Sequence, residues 1–218
     1  MFPFPFSFTA PTSADVPLEL IDNNFAMEFN GTDEYIDISS NINVTGEKTF
    51  SFWIKRAVGS ASNDGGILTI VPTSGTSDYI SIALWQDYIQ VQTSNTSTTR
   101  RTVEETISTD VWYHIVVIKS TNSIDNIYIN GVNKTLSNFG TWTGAINTPQ
   151  AKIGEAVFSG TNYNFAGDID EVAIWNKALQ LEDVQTIYNA TNDNPGKCAN
   201  LFTAGLGTDL VFWNRMGD

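Results

Sequence analysis

Short runs of β-branched and aromatic residues, broken by Gly, Asn, Ser and Thr turns about every ten residues, fill this 218-residue chain from Phe25 onward. That spacing leaves little room for long helices and predicts a two-sheet antiparallel sandwich. The clearest run is 48–57, where Phe50, Phe52 and Ile54 alternate with Thr49, Ser51, Trp53 and Lys55. Strict alternation is the period of a half-buried strand. Residues 112–119 are apolar in both phases, which predicts a central strand covered on both faces. The runs 124–129 and 132–136 flank Asn130-Gly131, a two-residue hairpin signal of the primed type. A second hairpin is expected at 79–85 and 88–92, around Gln86-Asp87. Residues 100–107 read as an edge strand, because charges blunt edge pairing. Residues 59–66 read as a loop of small residues.

One stretch departs from the pattern. A strand running to Trp175 is followed by Leu181, Val184 and Ile187 at helical spacing, with Tyr188 beside them. Glu182 and Asp183 fall in its first turn, where they favour the helix dipole. This predicts one short C-terminal helix whose role is packing.

Residues 1–24 read as an extended arm. Phe2, Phe4, Phe6 and Phe8 alternate with Pro3, Pro5 and Ser7, and proline excludes a central strand or a helix. Four phenylalanines on an extended segment need cover, from the chain's own sandwich or from a neighbouring subunit. Residues 25–218 form the sandwich, with 198–218 either a closing strand or the lead-in to a further module.

Lysine and arginine number 11 against 24 acidic residues, a net charge of −13. That argues against a nucleic-acid groove, which needs a basic footprint, and against an anionic membrane surface. No apolar run is long enough to span a membrane. The N-terminus lacks a basic region followed by a continuous apolar one, so no signal peptide is expected.

The motifs Phe29-Asn-Gly-Thr-Asp-Glu-Tyr-Ile, Phe50-Ser-Phe-Trp-Ile-Lys, Trp112-Tyr-His-Ile-Val-Val, Ile127-Tyr-Ile-Asn-Gly-Val and Phe165-Ala-Gly-Asp-Ile-Asp-Glu-Val-Ala-Ile-Trp-Asn-Lys-Ala-Leu occur in this order. In order and spacing they resemble the concanavalin A-like jelly rolls of the laminin-G-like type, over about residues 25–190. The resemblance implies an all-β jelly-roll sandwich. Its members include glycan-binding lectins, calcium-dependent receptors, glucanases and phage structural proteins. The ending Leu210-Val-Phe-Trp-Asn-Arg-Met-Gly-Asp looks like the lead-in that starts such domains in long phage proteins.

A glucanase of this type carries its carboxylates along one strand. The nearest match, Asp168-Ile-Asp170-Glu171, lacks the last carboxylate, and regular alternation sends Asp170 and Glu171 to opposite faces. They read as framework acids seeking donors, with His114 a candidate partner; a bulge would reconcile the phases. His114 is the only histidine; a zinc site around it would need more ligands and a triad a matched base, and its place in an apolar strand reads as packing. Cys198 lies in an expected loop with no basic neighbour in sequence to activate it.

Calcium is the one cofactor that the resemblance suggests, with Asp33, Glu34 and Asp37 as candidate ligands after a turn; the alternative is no cofactor at all. The candidate recognition face is Trp53, Tyr79, Trp85 and Tyr88 with Gln90 and Gln92, all in the phase away from the core. Such a face suits a glycan or a packed partner.

The expectation is therefore a non-catalytic structural or recognition module. The first reading is a virion surface component, a capsid decoration or fibre protein, docking through Phe2, Phe4, Phe6 and Phe8. Its partners would be further copies of itself and capsid or tail proteins. The alternative is a carbohydrate-binding lectin module for surface glycans, extracellular and possible with or without calcium.

Overall fold

A computed structural model describes residues 18–38, 42, 44–59, 63–72, 79–93, 98–102, 105–121, 123–139, 149–158, 161–203 and 205–218. Phe2, Phe4, Phe6 and Phe8 lie outside these residues. The elements in chain order are β1 (Leu20–Asp22), β2 (Met27–Asn30), β3 (Ile36–Asp37), β4 (Lys48–Arg56), β5 (Asn63–Pro72), β6 (Ile80–Trp85), β7 (Tyr88–Thr93), β8 (Thr98–Thr102), β9 (Trp112–Lys119), β10 (Ile124–Ile129), β11 (Val132–Asn133), β12 (Leu136–Phe139), β13 (Pro149–Ile153), β14 (Glu155–Phe158), β15 (Thr161–Asn164), β16 (Ala166–Trp175), α1 (Leu181–Asn192), β17 (Lys197–Ala199) and β18 (Leu210–Asn214).

Two seven-stranded antiparallel sheets face each other. The first runs β11-β10-β9-β4-β16-β18, with β2 also on β16; the second runs β12-β8-β7-β6-β5-β13-β3. The main core lies between them. Phe50, Phe52 and Ile54 from β4 and Tyr113, Ile115 and Val117 from β9 meet Ile80, Ile82, Ile89 and Val91 from the second sheet. These are the inward phases expected of alternating strands.

Both predicted hairpin turns form. Asn130 and Gly131 have φ of 52° and 74°, and Gln86 and Asp87 have φ of 50° and 68°, the left-handed pair of a primed turn. The Asn130 side chain also accepts the His114 backbone N–H at 2.9 Å, tying this turn to β9.

The outer face of the first sheet carries α1. Val184, Ile187 and Ala190 pack onto Val116, Ile118, Ala173 and Trp175, forming a second core. Leu181, placed on the apolar stripe from sequence, is exposed instead, because it sits in the first turn at the edge of the contact. The outer face of the second sheet is covered by the β14–β15 hairpin over Tyr79, Ala83 and Ala156. There the strands approach so closely that a Cβ on Gly66 would lie 1.9 Å from the Ala156 backbone nitrogen.

Four expectations change. Strand β8 is not an edge: it lies between β7 and β12, because the chain after the Asn130-Gly131 hairpin crosses to the second sheet. The glycines of 59–66 do not all form a loop, since Gly65 and Gly66 belong to β5. Cys198 is in a strand, not a loop, and is buried where β17 pairs with β1. Residues 20–22, counted with the arm, are that partner strand. The C-terminal β18 pairs antiparallel with β16.

Candidate functional site

Three adjacent strands of the first sheet, β9, β4 and β16, build the floor of the site. Antiparallel register sets Trp112 opposite Lys55 and His114 opposite Trp53. The same register on the other side of β4 sets Asp168 opposite Lys55 and Asp170 opposite Trp53. Two cross-strand rows result, Trp112–Lys55–Asp168 and His114–Trp53–Asp170, all in the outward phase.

Above this floor is an open groove of about 640 Å³, walled by Asn23–Ala26 on one side and by Thr191, Asn192, Pro195 and Gly196 on the other. The first wall is the link between β1 and β2. The second is the end of α1 and the turn after it. The C-terminal residues hold the first wall in place. The Asp218 carboxylate accepts the Asn24 backbone N–H at 2.8 Å, and Arg215 donates to the Asp22 carbonyl.

The side chains of the floor differ in freedom. Trp53 is buried in a three-ring cluster with His114 and Tyr188, at centroid distances of 5.1 and 5.9 Å, the latter two rings lying 6.2 Å apart. Trp112 is 37% exposed and offers a ring to the groove. Lys55 Nζ sits 2.7 Å from Asp168 and 5.2 Å from the centre of the Trp112 ring. The hydrogen bond that Lys55 donates to the Asp168 carboxylate raises the Lys55 pKa. On the wall, Phe25 is 64% exposed.

Asp170 is buried in the groove floor and accepts Asn23 Nδ2 at 2.9 Å and the Glu171 backbone N–H at 2.7 Å. Burial pushes its carboxyl up to about 7, outweighing the Asn23 hydrogen bond. The Asn23 Oδ1 is buried with no hydrogen-bond partner among the described residues.

Regular alternation would have sent Glu171 into the core. Instead the register shifts between Asp170 and Ala173, and Glu171 adopts a φ of 50°. This β-bulge puts Asp170 and Glu171 on the same outer face, correcting the opposite-face expectation. Glu171 then accepts Trp213 Nε1 at 2.7 Å and Arg215 Nε and Cys198 Sγ at 3.3 Å each. Burial raises its pKa against these donors. Burial, reinforced by Glu171, pushes the Cys198 thiol up to about 12, so it is held as a neutral thiol.

His114 partners neither acid. Its Nε2 pairs with Ser51 Oγ at 2.9 Å, and full burial drives its pKa down to about 3. It is a neutral packing residue of the ring stack.

The six residues named for a recognition face divide between the two outer faces of the sandwich. Trp53 is in the groove floor. The other five belong to the second sheet: Tyr79 is buried under β14–β15, Trp85 meets Tyr163 edge-on at 6.4 Å, Gln90 is buried, and Tyr88 and Gln92 are half-buried. Strand phase was read correctly, but phase does not say which sheet a strand joins. Trp112, Phe25 and Asn23 were missed. The outward phase of Trp112 with His114 and Val116 was available in sequence; the wall residues carry no such signal.

The three candidate calcium ligands do not converge. Glu34 Oε2 accepts the Asn30 N–H and Asp33 Oδ1 accepts Asn30 Nδ2, while Asp37 Oδ2 accepts Gln150 Nε2. Among the described residues no three metal-ligating side chains group together. These acids do not fit an ion.

A family model described as the concanavalin A-like lectin/glucanases superfamily matches residues 30–185. A search of curated proteins by sequence finds no match. Among solved structures, a heptameric SAP-like pentraxin from Limulus polyphemus is similar at 16% identity and a TM-score of 0.56, covering 94% of each chain. The CBM40 of Ruminococcus gnavus IT-sialidase, bound to α2,3 sialyllactose, is similar at 12% identity and a TM-score of 0.59, over 78% of this chain and 98% of that one. Domains LG4-5 of the mouse laminin α1 chain are similar at 13% identity and a TM-score of 0.55, over 81% of this chain and 46% of that one. At these identities the likeness is one of fold.

Proposed function

The chain belongs to the concanavalin A-like lectin/glucanases superfamily, and from that premise we propose that it is a non-catalytic carbohydrate-binding module whose ligand lies in the groove over β9, β4 and β16. One observation carries the reading: an exposed Trp112 ring and the Asp170 carboxylate share a floor of about 640 Å³ groove volume with wall amides from Asn23, Asn24 and Asn192. A sugar ring presents a C–H face that stacks on an aromatic ring, and hydroxyls that pair with carboxylates and amides. The carbohydrate-binding neighbour, Ruminococcus CBM40 with its sialyllactose, supports the ligand class.

Hydrolysis is disfavoured on this floor. Two carboxylates must flank a glycosidic bond, yet Asp168 is engaged by Lys55 at 2.7 Å. The test is a glycan panel probed with and without chelator, using the wild type and Trp112→Ala. Binding that is lost in Trp112→Ala supports the groove. No binding under either condition overturns the reading, and binding lost with chelator would restore a role for calcium.

A second reading, attachment to a larger assembly such as a virion surface through Phe2, Phe4, Phe6 and Phe8, is favoured by one edge of the fold. Leu18 packs on the cluster that includes Trp213 and Leu210, and Phe202, 73% exposed, lies edge-on to Trp213 at 5.3 Å. An apolar arm entering there would find apolar cover. Deletion of residues 2–8 tests it by light scattering; an unchanged particle size removes this reading.

A further inference from the structure

The groove has an electrostatic asymmetry that decides which sugars it can take. Its ionisable lining is Lys55, Asp168 and Asp170. The one lysine is already occupied, by Asp168 at 2.7 Å and by the Trp112 ring at 5.2 Å. The nearby arginine, Arg215, is turned to Glu171 and to the Asp22 carbonyl. Asp170 is different: its donors are a side-chain amide and a backbone N–H, and among the described residues no cation is paired with it. Behind the wall, Asp218 adds a further negative charge, and Glu28 and Asp110 act on Lys55 from the sides. The chain as a whole carries −13.

We propose that the groove takes hydroxylated sugars that are uncharged or carry an amine, and excludes sugars that carry a carboxylate. This rests on the glycan-binding reading of the same groove. A carboxylate entering it would meet Asp170 with no cation to spare, and a desolvated like-charge contact is strongly unfavourable. A neutral hydroxyl finds an acceptor in the Asp170 carboxylate on the groove lining. An ammonium group forms a charge-assisted hydrogen bond to Asp170, the stronger kind. The groove thus selects by exclusion as much as by attraction.

The experiment is calorimetric titration of the full chain at about pH 7.5, where the Asp170 carboxyl, pushed up to about 7 by burial, is mostly ionised, with two matched pairs, lactose against α2,3-sialyllactose and chitotriose against its deacetylated glucosamine trimer. Lactose should bind at least tenfold more tightly than sialyllactose, and the glucosamine trimer about tenfold more tightly than chitotriose. Lowering the pH from about 7.5 to about 5.5, which protonates the Asp170 carboxyl, should shrink both ratios. Asp170→Asn should lower the affinity for all four sugars less than it lowers the two ratios, losing both the amine preference and the discrimination against sialyllactose. The pH arm uses only the wild type, so it decides the matter even where that variant fails to fold. Equal binding within the pairs, or a preference for sialyllactose, overturns this inference alone. No binding of any of the four sugars overturns the glycan reading and this inference with it.

Discussion

The Glu171 carboxylate and the Trp213 indole meet at 2.7 Å across the β16–β18 pair. A bulge on one strand thus supplies the acceptor for a ring on its neighbour. Arg215 and Cys198 complete the donors, at 3.3 Å each. Through this one carboxylate the bulged strand, β17 and the C-terminal segment are joined, and Arg215 in turn holds the groove wall at Asp22.

Glu171→Ala should therefore be costly. It strands a buried indole N–H and releases Arg215, a loss of about 3 kcal/mol on the scale of broken buried charge-assisted contacts. Urea denaturation measures it. A cost below about 1 kcal/mol would mean that the cluster does not tie the C-terminal segment down.

The groove and the ring stack behind it should separate by mutation. Trp112→Ala removes an exposed ring, so stability should move by less than about 1 kcal/mol while sugar affinity falls about tenfold or more. Trp53→Ala removes a buried ring packed against both His114 and Tyr188, at a cost of about 3 kcal/mol. Paired melting and titration of the two variants would show this; equal stability losses would place Trp112 in the core instead.

Stability should depend on pH through two groups with opposite signs. The Asp170 carboxyl titrates near 7 when folded and at 3.8 otherwise. The folded state therefore binds the extra proton, and this stability is lost as pH rises through that window. His114 titrates near 3 when folded and at 6.5 otherwise. There the unfolded state binds the proton, and stability is lost as pH falls below 6.5. Asp170→Asn should gain about 5–10 °C in Tm relative to wild type between pH 5 and pH 8. His114→Gln should gain relative to wild type toward pH 4. Melting curves that stay parallel to wild type across this range would contradict both assignments.

Gly66→Ala probes the crossing of β14 over the second sheet. Its Cβ would meet the Ala156 nitrogen at 1.9 Å and the Tyr163 carbonyl oxygen at 2.3 Å. Both are backbone atoms, so relief requires moving the hairpin. A loss of about 3 kcal/mol is expected, with a change in Tyr163 fluorescence on loosening of the β14–β15 cover. Wild-type stability would show that the hairpin shifts freely.

Much of the scaffold was legible from local pattern. The alternation at Phe50, Phe52 and Ile54 chose the core face of β4, and Asn130-Gly131 specified its hairpin. The site was legible only in pieces. Trp53 was named, and Asp170 was read with Glu171 as a framework acid seeking donors, yet nothing in the chain order brings Trp53 and Asp170 opposite one another. Their meeting depends on the register of β4 against β16, strands separated by more than a hundred residues. The pairing of β8 with β12 was hidden for the same reason.

The sequence by itself determined the strand periods, the turn types and the single helix, because side-chain alternation and left-handed turn residues act over a few neighbouring positions. Only the tertiary structure decided that the aromatic residues divide between two outer faces, that a bulge turns Glu171 outward beside Asp170, and that the Asn23–Ala26 link stands over the floor they make. The physical reason is distance along the chain. Register, sheet membership and wall placement are settled by the packing of distant segments, and a local pattern carries no record of which segment will arrive.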